Sequence, residues 1–214
     1  TILHKAELDL HFHAEKAVYQ GLQGSRLIIE FNPDQTLRRL QDILILLEKL
    51  EISPVVKEKT QTAFDRLACV EAEVHGVSKE QVHFHEIGAL DTLVDILGAF
   101  WGLEQMGIER VVCSPLPWFT GKVSCAHGNL FLPAPAVLKL LHNKPVYPTQ
   151  FNQELITPTG VLLVDQIVDE FTLGPEGVVQ DTGTGLGSRD LKLSANGLRL
   201  ILYQEKSLKS ENKM

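Results

Sequence analysis

The chain has 214 residues, 44% hydrophobic and 22% charged, which suits one full-sized globular domain, and its net charge of −7 argues against a nucleic-acid binder with a basic footprint. Cys69, Cys113 and Cys125 are too widely spaced for a disulfide framework or a zinc ribbon, so reduced thiols in a cytoplasmic protein are the simplest reading. No apolar run approaches the roughly 20 residues that span a bilayer, and the opening TILHKAELDLHFH has no signal-peptide architecture.

Residues 6–13 alternate apolar and polar side chains, and residues 26–31 (RLIIEF) are rich in β-formers, so the chain is expected to open on two strands with turns at Gly21 and Gly24. Asn32-Pro33-Asp34 breaks the second strand. Leu37, Leu40, Ile43, Leu44, Leu47 and Leu50 then recur at helical spacing. Ser53-Pro54 starts a second helix that runs to His75, with Gly76 as its C-terminal cap. Residues 81–85 are read as extended. Residues 89–106 form a third helix, apolar over so much of its circumference that it is expected at the centre of the domain.

Strands and helices alternate from there. Strands are expected at 111–113, 122–126 and 145–147, and helices at 134–141 and 159–170. The last part returns to strands at 177–182 and 198–203, with a glycine-rich turn at Gly183, Gly185 and Gly187 between them. The fold class is α/β, with α+β also open: a single domain over residues 1–204 in which helices pack a mixed sheet, followed by a polar, frayed tail at 205–214.

His83 and His85 sit two apart in the extended segment, so both imidazoles face one side, a common way to offer two nitrogen ligands to one ion. Glu86 follows them. Glu71 and His75 are four apart on the preceding helix, and Asp91 and Asp95 are four apart on the next, so each pair shares a face. Plain structural roles compete at two of these positions, because His75 also suits a helix C-terminus and Asp91 a helix N-terminus. His127 in Cys125-Ala126-His127-Gly128 ends a strand beside a glycine and is a further candidate ligand, whereas Cys125 reads as a small packed hydrophobe. His4, His11 and His13 offer a weaker surface site that edge-strand polarity explains equally well.

In ELITPTG (154–160), Thr157 and Pro158 have the form of a helix N-terminus that can hold a phosphate or carboxylate, although ordinary capping accounts for both. Glu154 is not explained by capping. The run GTGLGSRD (183–190) lacks dinucleotide-loop spacing; a plain hairpin connection explains it best, with Arg189 as a candidate anion contact on the turn. No nucleophile–base arrangement stands out.

Together these residues resemble the nickel-insertion proteins of lactate racemase cofactor maturation (the LarC family). The matching segments are EAEVHG (71–76), VHFHEIGALDTLVDILGA (82–99), SPLP (114–117), AHGNLFLPAPA (126–136), ELITPTG (154–160), GTGLGSRD (183–190) and NGLRL (196–200), in the family's order. The resemblance implies a lyase-type chelatase that places nickel into a pyridinium bisthiocarboxylate mononucleotide, using CTP with magnesium or manganese. The product would be the nickel-pincer nucleotide of lactate racemase and related enzymes.

On that reading the metal set is His75, His83, His85, Glu86, Asp91, Asp95 and His127, and Glu154, Thr157 and Arg189 contact the substrate. The exchange needs no catalytic nucleophile. Three departures from the family stand out: no GDM-ending opening segment, Phe131 where the family has proline, and Trp118-Phe119-Thr120 in place of a glycine-rich stretch. The family's CTP-binding C-terminal domain is also expected to be missing, so the chain is read as the metal and substrate portion, with a separate CTP-binding domain or chain and a homo-oligomer as candidate partners. A metal-dependent hydrolase built on the same cluster and a non-catalytic interaction domain are the alternatives.

Overall fold

The structure is a computed structural model that describes residues 10–31, 39–82, 84, 90–125, 128–187 and 197–205. Both helices and mixed strand pairings are present, as the α/β reading requires. The chain divides into two compact units, one taking the residues up to His11 and from Glu30 to Phe171, the other Phe12–Ile29 and the residues from Thr172 onward.

The first unit is built on helices α1 (Leu40–Lys49), α2 (Pro54–His75), α3 (Leu90–Gln105), α4 (Pro135–Leu140) and α5 (Pro158–Ile167). Their ends follow local chemistry. Ser53 Oγ accepts the Val56 amide at 3.1 Å and Pro54 occupies the first turn of α2, while Gly76 ends it in the left-handed conformation at φ 65°. Gly107, at φ 63°, follows α3 in the same way.

The expectation that α3 would be central is corrected: α2 packs against α1, α3, α4 and α5 and is the hub. Ala63 and Ala68, with no exposed surface, let neighbouring helices approach closely around Phe64 and Leu67. Helix α3 buries Leu90, Leu93, Ile96, Leu97 and Phe100, but Trp101 keeps 42% of its surface in solvent. Phe64 also meets Phe84 in a tilted aromatic contact, with ring centroids 6.4 Å apart. That contact ties the residue between His83 and His85 to the core.

Short strands complete this unit. β3 (Val112–Cys113), β4 (Leu116–Trp118), β5 (Lys122–Cys125), β6 (Gly128–Phe131), β7 (Val146–Pro148) and β8 (Glu170–Phe171) form a parallel β3–β8 pair, a parallel β4–β7 pair and an antiparallel β5–β6 pair. Opposite Lys122 in that last register stands Phe131, whose ring lies 4.9 Å from the Lys122 ammonium.

The second unit is a four-stranded sheet of βa (Leu10–Tyr19), βb (Leu22–Phe31), βc (Gly177–Leu186) and βd (Gly197–Glu205), adjacent in that order. Gln20 and Gly21, at φ 46° and 80°, make the two-residue turn between βa and βb. Strand βc runs antiparallel to βd and parallel to βb. The glycine-rich turn expected at Gly183, Gly185 and Gly187 is corrected in part: Gly183 and Gly185 lie inside βc, paired with Leu200 and Leu198. Gly24 is likewise no turn residue. A Cβ there would stand 2.7 Å from the Thr184 carbonyl oxygen, so its bare backbone is what lets βb approach βc.

Candidate metal and substrate site

Two i,i+4 pairs, Glu71 with His75 and Asp91 with Asp95, flank the His83–Glu86 segment in sequence. At the end of α2, Glu71 Oε2 and His75 Nε2 are 3.2 Å apart, with 13% and 31% of their side-chain surfaces exposed. The i,i+4 spacing and the helix stop at Gly76 place them together in the last two turns. A carboxylate on one imidazole nitrogen orients the ring and fixes its tautomer, as outer-shell carboxylates do for histidine ligands.

At the start of α3, Asp91 and Asp95 form the second pair. Asp91 Oδ1 accepts the Thr92 amide at 2.7 Å. Asp95 touches solvent, yet surrounding protein partly removes its carboxyl from water and the Asp91 charge adds to the effect, raising its pKa from 3.8 to about 6. Folded Asp95 therefore keeps its proton to higher pH than the unfolded chain does, and its contribution to stability is lost as pH rises through that window. Asp95→Asn is expected to gain stability over the parent at pH 7 and to flatten the pH dependence between about 4 and 6. Denaturant midpoints at pH 4 and 7 measure this; an unchanged difference between the two proteins at both pH values would refute it.

His83, His85, Glu86, His127 and Arg189 lie outside the described residues. Among the described residues no three His, Cys, Asp or Glu side chains gather closely enough to hold a metal. The three described members of the proposed metal set, His75, Asp91 and Asp95, thus stand apart as His75 with Glu71 on α2 and Asp91 with Asp95 on α3, helices that pack against each other.

Thr157 is the N-cap of α5 and its Oγ1 accepts the Gly160 amide at 3.1 Å, with Pro158 in the first turn. Thr157→Ala is expected to cost about 1 kcal/mol of stability through the lost cap, read from the urea midpoint; a loss below a few tenths would mean the cap is dispensable. Glu154 is half-buried in the approach to that helix. The same approach touches the start of β5, where a Cβ on Gly121 would stand 2.1 Å from the Asn152 carbonyl oxygen. Two stretches far apart in sequence, the one leading to His127 and the one leading to Thr157, are thereby brought side by side.

Sequence reasoning missed Asp165. It joins α5 to α2 through Arg66 Nε at 3.3 Å and binds the Lys144 ammonium. Burial pushes its carboxyl up, but Lys144 and Arg66 outweigh that and hold it below the usual range. Single charged residues separated by such distances carry no periodic signal.

The chain belongs to the nickel insertion protein family, whose model matches residues 1–214. It is 42% identical over 189 residues to a putative nickel insertion protein of Desulfotalea psychrophila, covering 88% of this chain and 48% of that one. It is 40% identical over 200 residues to the pyridinium-3,5-bisthiocarboxylic acid mononucleotide nickel insertion protein of Desulfitobacterium hafniense, covering 92% and 50%. With the protein of the same description from Staphylococcus epidermidis it shares 36% identity over 203 residues, covering 94% and 51%. The chain therefore spans about half the length of the curated relatives it matches. No solved structure matches it. Among the described residues no helix is long and apolar enough to cross a membrane.

Proposed function

We propose that this chain is the metal- and substrate-handling portion of a protein that inserts nickel into pyridinium-3,5-bisthiocarboxylic acid mononucleotide. The observation that carries the reading is the placement of the Glu71–His75 and Asp91–Asp95 pairs on two packed helices at either end of the His83–Glu86 segment, in a member of the nickel insertion family. Nickel is cargo here, with His83, His85, Glu86 and His127 as proposed ligands joined by His75 or by the Asp91–Asp95 pair, which do not gather around a single ion. Imidazole suits nickel, and mixed imidazole–carboxylate ligands exchange more readily than a closed thiolate cage. Glu154, Thr157 and Arg189 are the proposed contacts to the ribose or phosphate of the substrate.

Insertion transfers the ion from these side chains to the thiocarboxylate sulfurs. It is a ligand exchange, so the protein must release metal as well as bind it. A partly protonated Asp95 fits that need, because proton and nickel compete for the same oxygens and affinity rises with pH. CTP, with magnesium or manganese, is assigned to a separate domain or chain, and the reaction to the cytoplasm. Equilibrium dialysis of the chain with nickel tests the reading. Binding near one ion per chain that strengthens from pH 5.5 to 7.5 is expected; no saturable binding at pH 7.5 would overturn it.

A further inference from the structure

The two margins of the four-stranded sheet differ in kind. Strand βa closes one side and carries His13, Glu15 and Lys16, the polar and charged dressing that keeps a free sheet edge from pairing with another chain. Strand βd closes the other side, and no strand lies beyond it among the described residues. Its nine residues, GLRLILYQE, are charged only at Arg199 and Glu205. Leu198, Leu200 and Leu202 share one face, and Ile201 and Tyr203 share the other. A strand apolar on both faces has the pattern of an interior strand rather than of a margin.

The outer edge of βd is also regular. Its register with βc shifts where Leu202 pairs with Asp181 and Tyr203 with Val179, so the extra residue is Gln180 of βc and βd itself carries no bulge. Along this edge Leu198, Leu200 and Leu202 keep 69%, 58% and 44% of their surfaces exposed. On the inner side Leu198 and Leu200 face Gly185 and Gly183, which offer no side chain to pack against. A long, regular, apolar edge of this kind is a template for one more strand.

We infer that βd pairs antiparallel with βd of a second copy of this chain, joining two four-stranded sheets into one about a two-fold axis. Antiparallel pairing of a strand with itself is isologous, so one edge serves both copies. Charge fixes the register. With Leu202 opposite its own counterpart, Arg199 stands opposite the partner's Glu205 and Ile201 opposite the partner's Tyr203. Symmetry repeats each pair, so two ion pairs flank an apolar centre. Sliding the register by two residues sets Arg199 against Tyr203 and breaks both ion pairs. Arg199 is exposed and makes no ion pair among the described residues. A carboxylate can serve two cations, as Asp165 serves Arg66 and Lys144. This surface goes beyond the nickel reading and does not depend on it.

Sedimentation velocity of the full chain across a concentration series, without nickel or nucleotide, tests the assignment. A concentration-dependent dimer is expected of the parent. Leu202→Lys sets two ammonium groups against each other at the axis and should raise the dimer dissociation constant about tenfold or more. Arg199→Glu turns both ion pairs into repulsions and should weaken the dimer about tenfold. Adding Glu205→Arg to it exchanges the charges in place and should return the constant to within about threefold of the parent. All three positions are exposed, circular dichroism shows that each variant is folded, and the charge exchange keeps the test open should Leu202→Lys unfold. A parent that stays monomeric up to about 100 μM would overturn the assignment and leave βd to a different chain. A dimer indifferent to Leu202→Lys, or an Arg199→Glu defect that Glu205→Arg leaves uncorrected, would overturn it as well.

Discussion

Replacing His83 and His85 together by alanine is expected to lower nickel affinity by at least about 100-fold while leaving the thermal midpoint within a few degrees of the parent. Loss of an outer-shell partner alone costs about 10–100-fold in metal affinity, and two direct nitrogen ligands should cost no less. Stability should be spared because the buried residue of this segment is Phe84, at 4% exposure against Phe64, and it remains in place. The contrast between the two readouts carries the test. Competition against a chelator of known affinity gives the first and a thermal melt the second. Parent-like nickel affinity in the double variant would remove these histidines from the site, and a large fall in the midpoint would assign them to packing instead.

Gly121→Ala has the largest expected effect on stability. Gly121 sits at φ 116°, a region that L side chains rarely enter, and an added Cβ would lie 2.1 Å from the Asn152 oxygen and 2.6 Å from its carbonyl carbon. Both are backbone atoms and cannot swing aside. Leu132 also donates its amide to the Gly121 oxygen at 3.0 Å, and Thr120 donates to Phe151 at 3.0 Å, so the strand is tethered on both sides of the clash. The combined strain and displacement should cost about 3 kcal/mol or more. A urea titration with an unchanged slope and a much lower midpoint is the expected result; a loss under about 1 kcal/mol would mean that the 149–153 segment yields easily.

The helices were legible where local chemistry marks their ends. Ser53-Pro54 and Gly76 bound α2 at the expected residues, and Thr157-Pro158 starts α5, because caps and turn conformers are decided within four residues. Strands β4, β6 and β8 were not read, since two to four residues carry no usable periodicity and the β4–β7 and β3–β8 pairings join distant stretches. Gly183 and Gly185 misled for a related reason. Glycine usually signals a turn, but here it lies in a strand opposite Leu200 and Leu198. Apolar breadth pointed to α3 as the centre, whereas the small side chains that make α2 the hub leave little trace in a hydrophobicity pattern.

Within the candidate site, i,i+4 spacing foretold the Glu71–His75 contact and the coupling of Asp91 with Asp95, both being properties of a single helix. Asp165 gave no such warning. Its partners Arg66 and Lys144 lie far from it in sequence, and only the folded chain brings the three together.

The central claim is that nickel is held by imidazoles of the His83–His85 segment together with carboxylates from the flanking helices. X-ray absorption at the nickel edge, on the chain loaded with one equivalent of nickel at pH 7.5, tests it most directly. The account predicts a first shell of nitrogen and oxygen only, with the multiple-scattering signature of at least two imidazoles that disappears in the His83→Ala/His85→Ala variant. A shell containing protein sulfur, or an imidazole signature unchanged in that variant, would contradict it.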